Sequence, residues 1–146
     1  MIIDHLAGSR RGQRQELATD KRIRFGRHPD CEVSFDAHRD IDASSRHAEL
    51  RPGVDGWVLV DLGSSNGTFV DGHRVTETAV TPTAPVVVAF GAAGPRIRLF
   101  IGDLAAAAAL PAPELAEPPS RRPWLLAGIG AGVAVLGLLI WRLVVA

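Results

Sequence analysis

Three clusters of hydrogen-bond donors punctuate the first half of this 146-residue chain. Gly26-Arg27 ends one apolar run, Ser44-Ser45-Arg46-His47 opens a second, and Ser64-Ser65-Asn66-Gly67 precedes a third. An arginine, several hydroxyls, an asparagine and exposed loop N–H groups together suit a phosphate, which offers only acceptors and negative charge. A small polar cluster running into an alternating apolar segment reads as a binding loop that leads into a strand.

Other chemistries fit less well. Gly63-Ser64-Ser65-Asn66-Gly67 matches the G-x-S-x-G pattern of a nucleophile elbow, and His47 and Asp61 complete a nominal triad. That elbow needs a strand before it and a helix after it, whereas Thr68-Phe69-Val70 reads as another strand closing at Gly72. His5, His28, His38 and His73 lack metal-ligand spacing, so neither a metal nor a cofactor is called for, and the chain reads as a non-enzyme. The single cysteine, Cys31, excludes an internal disulfide framework and is expected to fill an apolar position after a turn. Basic and acidic side chains balance at 16 each. No global field draws the protein to nucleic acid, and any anion site must be local.

In order and spacing, Gly26-Arg27, Ser44-Ser45-Arg46-His47 and Asn66-Gly67-Thr68 resemble the signature of the forkhead-associated (FHA) domain, a reader of phosphothreonine. The resemblance covers residues 1–103 and implies specific roles. Arg27 and Ser44 would meet the phosphate, with Ser45 and Arg46 in the same loop as further donors, and Asn66 would bond the main chain of the peptide. Gly26, His47 and Gly67 would support the binding loops, His47 by tying them together without touching ligand. Ser45 and Asp71 stand where relatives commonly carry longer or uncharged side chains.

The elements that must position these residues are short. Met1 to Leu6 reads as a strand, Gly8 to Gly12 as a turn and Gln13 to Ala18 as the returning strand. Ile23 to Phe25, Glu32 to Phe35, His47 to Leu50, Trp57 to Leu62, Thr68 to Val70, Val86 to Phe90 and Arg96 to Ile101 follow, divided by Gly-, Pro- and Asp-rich turns. No window of the first 103 residues holds helical periodicity for three turns. Many short strands with regular turn signals predict an all-β sandwich of antiparallel strands, of the FHA type if the resemblance holds.

From residue 104 the composition changes twice. Residues 104–123 are an Ala/Pro-rich linker without the apolar variety of a core. Residues 124–146 are expected to be one transmembrane helix and a short tail: Trp124 to Trp141 carries no charge over 18 residues, about 27 Å as a helix against a hydrocarbon core of about 30 Å. A tryptophan marks each end, and Arg121 and Arg122 against Arg142 favour a cytoplasmic N-terminal side. Gly128 and Gly132, with Ala127 and Ala131, leave one face small enough for a weak dimer. Arginine replaces lysine almost throughout, as in high-GC bacterial coding sequences, so the expected site is a bacterial inner membrane. The expectation is a membrane-tethered module that binds a phosphothreonine-containing protein, a Ser/Thr kinase or its substrate. The competing expectation is a structural membrane subunit whose sandwich binds a partner without phosphate.

Overall fold

The structure, a computed structural model, describes residues 1–18, 20–82 and 84–115. The expected transmembrane helix, its small-residue face and the linker from residue 116 onward lie outside them. Among the described residues no helix is long and apolar enough to cross a membrane.

Two sheets pack face to face. The strands are β1 (Ile2–Ala7), β2 (Arg14–Glu16), β3 (Ile23–Gly26), β4 (Val33–Ser34), β5 (Ala48–Gly53), β6 (Gly56–Asp61), β7 (Thr68–Val70), β8 (His73–Val75), β9 (Glu77–Val80), β10 (Val86–Phe90) and β11 (Arg96–Phe100), followed by a short helix α1 (Leu104–Ala108). One sheet runs β2-β1-β11-β10-β7-β8 and the other β4-β3-β5-β6-β9. Pairing is antiparallel except between β3 and β4. The all-β antiparallel sandwich expected from the turn signals is therefore present.

Period-two alternation sorts side chains between the faces. Ile3, Ile23, Phe25, Leu50, Leu59, Val88, Phe90, Ile97 and Leu99 point inward as one buried cluster. Phe90 is the hub at one end of it: its ring stacks on Phe25 at 5.2 Å, lies tilted 4.9 Å from Phe35 and makes a T-shaped contact with His47 at 5.3 Å. The β7–β8 hairpin turns through Asp71 and Gly72 at φ +47° and +84°, successive left-handed residues that suit the twist of a tight hairpin. Asp71 fits there because a short carboxylate tolerates that conformation and accepts from Val87 N–H at 2.9 Å.

The outer face of the first sheet is covered where composition predicted bare linker. Asp103 caps α1 by accepting from Ala106 N–H at 2.7 Å, and Ala107 is buried against Ile2 and Phe100, with Leu110 packed beside them. A methyl group suffices because the sheet approaches closely, so an alanine run without apolar variety still finds a docking site.

Phe90→Ala removes the ring shared by three aromatic contacts. It is expected to cost about 3–5 kcal/mol, read as a lowered urea midpoint with unchanged slope; an unchanged midpoint would show that the ring is not a packing hub.

Candidate functional site

The loops leaving β3, entering β5, joining β6 to β7 and joining β10 to β11 gather at one end of the sandwich. Backbone bonds stitch the first two together: Arg27 N–H donates to Ser44 C=O at 3.1 Å, His28 N–H to Ser45 C=O at 2.9 Å, and His47 N–H to Phe25 C=O at 2.8 Å. Gly26 permits the approach, since a Cβ there would overlap the Ser45 carbonyl.

His47 joins this pair of loops to the third. Its ring is fully buried; Nδ1 accepts from Ser44 N–H at 3.0 Å, which leaves Nε2–H to donate to Gly67 C=O at 3.1 Å. The tautomer follows, because a backbone N–H cannot meet a protonated Nδ1. Gly67 sits at φ +83°, a conformation that demands glycine, whereas the nearest atoms a Cβ there would crowd belong to the flexible guanidinium end of Arg74. The same carbonyl accepts from Gly91 N–H at 2.8 Å, which brings in the β10–β11 loop.

Asp61 organises the third loop from within. Its carboxylate accepts from Ser64 N–H at 2.8 Å, Ser64 Oγ–H at 2.6 Å and Thr68 Oγ1–H at 2.6 Å, and Ser64 Oγ in turn accepts from Gly67 N–H at 3.0 Å. Burial pushes the Asp61 pKa up, but the bonds from Ser64 and Thr68 outweigh it and hold the carboxyl below its ordinary value.

On this frame the expected donors are arranged unequally. Arg27 donates through Nε to Ala43 C=O at 2.6 Å and through Nη1 to Ala37 C=O at 2.8 Å. Those bonds aim the guanidinium and leave the Nη2 hydrogens for a ligand, five N–H donors being available in all. Ser44 Oγ accepts from Ser65 N–H at 3.1 Å, which leaves its own hydrogen to donate. Asn66 spans to the opposite loop, its Nδ2 donating to Asp42 C=O at 2.9 Å. Ser45 and Arg46 are exposed; the Ser45 carbonyl is committed to His28, whereas its hydroxyl faces solvent. Cys31 is buried behind the loops, and burial pushes its thiol pKa up, as befits a filler of apolar space.

Sequence reasoning passed over Asp61 and Ser64 as loop supports, weighing Asp61 only as a triad member. An Asp three residues before a Ser, at the end of a strand, is the local signal for side-chain capping of a turn. The carbonyls of Ala37, Asp42 and Ala43 left no signal, since main-chain acceptors are common to all residues. Both nitrogens of His47 are engaged by backbone, so His47 is not free to act as a base for Ser65, and the G-x-S-x-G segment is flanked by β6 and β7 instead of a helix.

Residues 23–87 match the family model of the FHA domain, a span that contains the first three of these loops but not the one joining β10 to β11. Over those residues the sandwich matches the FHA family. The chain is 48% identical over 46 residues to an oxoglutarate dehydrogenase inhibitor of Corynebacterium jeikeium, covering 32% of this chain and 30% of that protein's length. A solved FHA domain from work on phosphothreonine-dependent FHA domain interactions superposes with a TM-score of 0.56 at 26% identity, over 70% of this chain and 97% of that one. The FhaA FHA domain, complexed with the intracellular domain of Rv3910, gives a TM-score of 0.53 at 27% identity, over 66% of this chain and 96% of that one.

The His47 bridge makes the stability of the sandwich depend on pH. Burial lowers the His47 pKa below 6.5, more than Gly67 and Asp61 raise it; burial and nearby Arg10 likewise lower that of His5. Unfolded chains take up these protons near pH 6.5 and the folded domain refuses them, so stability is full above that value. It falls as pH drops below about 6.5, by up to about 1.4 kcal/mol per pH unit for each histidine. His47→Gln, which cannot titrate, is expected to flatten this acid limb in urea melts between about pH 6.5 and 5; an equally steep limb would remove His47 as its source.

Proposed function

We propose that this loop edge binds a phosphothreonine peptide, and that the chain is a membrane-anchored recruiter of a phosphorylated protein in Ser/Thr kinase signalling. The observation that carries the reading is the pairing of Arg27 Nη2 and the Ser44 hydroxyl, two uncommitted donors on loops that His47 holds together. A threonine phosphate brings about −1.5 to −2 charges and three acceptor oxygens to such donors. Ser45, Arg46 and a loop N–H add further donors, and Asn66 meets the peptide main chain. Three or four charge-assisted bonds at about 1.5–3 kcal/mol each, less ordering costs, match micromolar affinity, about −8 kcal/mol. The similar FHA domain studied for phosphothreonine-dependent interactions and the FhaA complex support this class of partner. The relative named as an oxoglutarate dehydrogenase inhibitor supports a regulatory, non-catalytic role.

The anchor is the uncharged stretch from Trp124 to Trp141, flanked by Arg121 and Arg122 on the domain side. Cytoplasmic placement of the FHA domain puts it with the ATP that threonine kinases use.

Matched phosphorylated and unphosphorylated threonine peptides titrated against the protein test the site. Only the phosphorylated set is expected to bind, and Ser44→Ala to weaken it by about 1.5–3 kcal/mol. Arg27→Ala should abolish binding and also loosen the loop over residues 36–43, because its side chain holds two carbonyls there. Equal binding of both peptide sets would favour a phosphate-independent partner surface.

Orientation has its own test. Protease added to intact spheroplasts is expected to leave the FHA domain whole and to cut the Ala/Pro segment only after lysis; cleavage before lysis would overturn the cytoplasmic placement.

A further inference from the structure

After β11 the chain does not leave the domain. It crosses the outer face of the first sheet as a strap, from the end where Met1 lies to the end where the binding loops lie. Ala107 and Leu110 pack on Ile2 and Phe100 near the start of that path. Midway, Arg98 Nη1 donates to Pro111 C=O at 2.6 Å. Arg98 is 9% exposed and bonded to Asp4 through Nε and Nη2 at 3.1 and 2.8 Å, while Arg14 binds the same carboxylate from the other side. The Pro111 carbonyl thus satisfies a buried guanidinium donor that would otherwise be costly. Leu115 then reaches the β1–β2 turn, 3.9 Å from where a Cβ on Gly12 would stand. That turn belongs to the ligand end: Ser9 N–H, three residues away, donates to Asp40 in the loop before Ser44.

The exit point limits where the domain can sit. Nine Cα-to-Cα steps lead from Leu115 to Trp124, through Pro118, Pro119 and Pro123, a reach of at most about 32 Å at about 3.6 Å each. A chain released at Asp103 would have 21 such steps, about 75 Å, enough for the domain to present any face. We propose that the strap turns the phosphate-binding edge toward the membrane, so that the ligand is a phosphothreonine in the juxtamembrane segment of a second membrane protein. This rests on the membrane-anchored phosphothreonine reading above. A short tether at the ligand end places Arg27, Ser44 and Asn66 within reach of chain emerging from the bilayer and hinders the approach of large soluble partners.

The test uses the full chain, with Cys31 replaced by Ser, in phosphatidylcholine vesicles carrying a headgroup energy acceptor. Donor dyes are placed at Ile41→Cys, 69% exposed at the ligand end, or at Val54→Cys, fully exposed in the β5–β6 turn at the opposite end. Stronger transfer from position 41 than from 54 is expected, with loss of that difference in Ala107→Glu. A Gly-Ser insertion after Leu115 keeps the strap docked, lengthens the tether and should abolish the difference without depending on the stability of Ala107→Glu. A phosphothreonine peptide on a short lipid anchor should be captured as well as the same peptide on a long one. Equal or reversed transfer, or refusal of the short-anchored peptide while free peptide binds, would overturn the inference and leave the binding site standing. Failure to float with vesicles would overturn the anchor and this inference together, and failure to bind free phosphopeptide would overturn the site.

Discussion

A neutral imidazole buried between two loops is the constraint on which the ligand end depends. His47 accepts from Ser44 N–H on one side and donates to Gly67 C=O on the other, so one rigid ring sets the spacing of two loop positions 23 residues apart. Its burial against Phe90 makes either bond costly to lose, since an unpaired polar group there would have no water to turn to. Because Gly67 C=O also receives Gly91 N–H, the bridge extends to a further loop. The core and the site are thus continuous: the aromatic group of Phe25, Phe35 and Phe90 is the floor on which the imidazole stands.

Backbone does most of the positioning above that floor, and glycine is what lets backbone come close. Gly26 brings β3 against the Ser45 carbonyl, and Gly67 combines a positive φ with contact to Arg74. Side chains at the rim are thereby released from structural work. Ser45 and Arg46 point to solvent because their own main chain and that of their neighbours hold the loop.

Much of this was legible in the sequence because it rests on residue type. Turn residues at short intervals announced the strands, and the resemblance of three separated motifs located His47 and Gly67 as supports. What escaped shares a physical cause. Main-chain acceptors such as Ala37, Asp42 and Ala43 carry no side-chain signature. The strap escaped because Ala107 buries a single methyl, too small a hydrophobic signal to mark a docking segment. Missing the strap also hid the setting of Arg98: alternation on β11 puts it outward, and only a covering segment makes it buried.

The distribution of ion pairs completes the site's electrostatics. Away from the ligand end, arginines are matched to carboxylates: Arg24 with Glu32, Arg14 and Arg98 with Asp4, Arg22 with Glu49, Arg51 with Glu77. The Arg24 bonds are strong enough to hold Glu32 down to about 2. At the ligand end the carboxylates serve the backbone instead. Asp36 accepts from His38 and Arg39 N–H, Asp40 from Ser9 and Asp36 N–H, and Asp61 from Ser64 and Thr68. Arg27 is held there by carbonyl oxygens, which aim its guanidinium without cancelling its charge. A carboxylate in their place would position the same side chain and neutralise the field that an incoming phosphate must feel. With screening over about 8–10 Å in physiological salt, a chain of zero net charge presents a cationic site only where cations are oriented by neutral partners, and the loop carbonyls of Ala37 and Ala43 supply that arrangement.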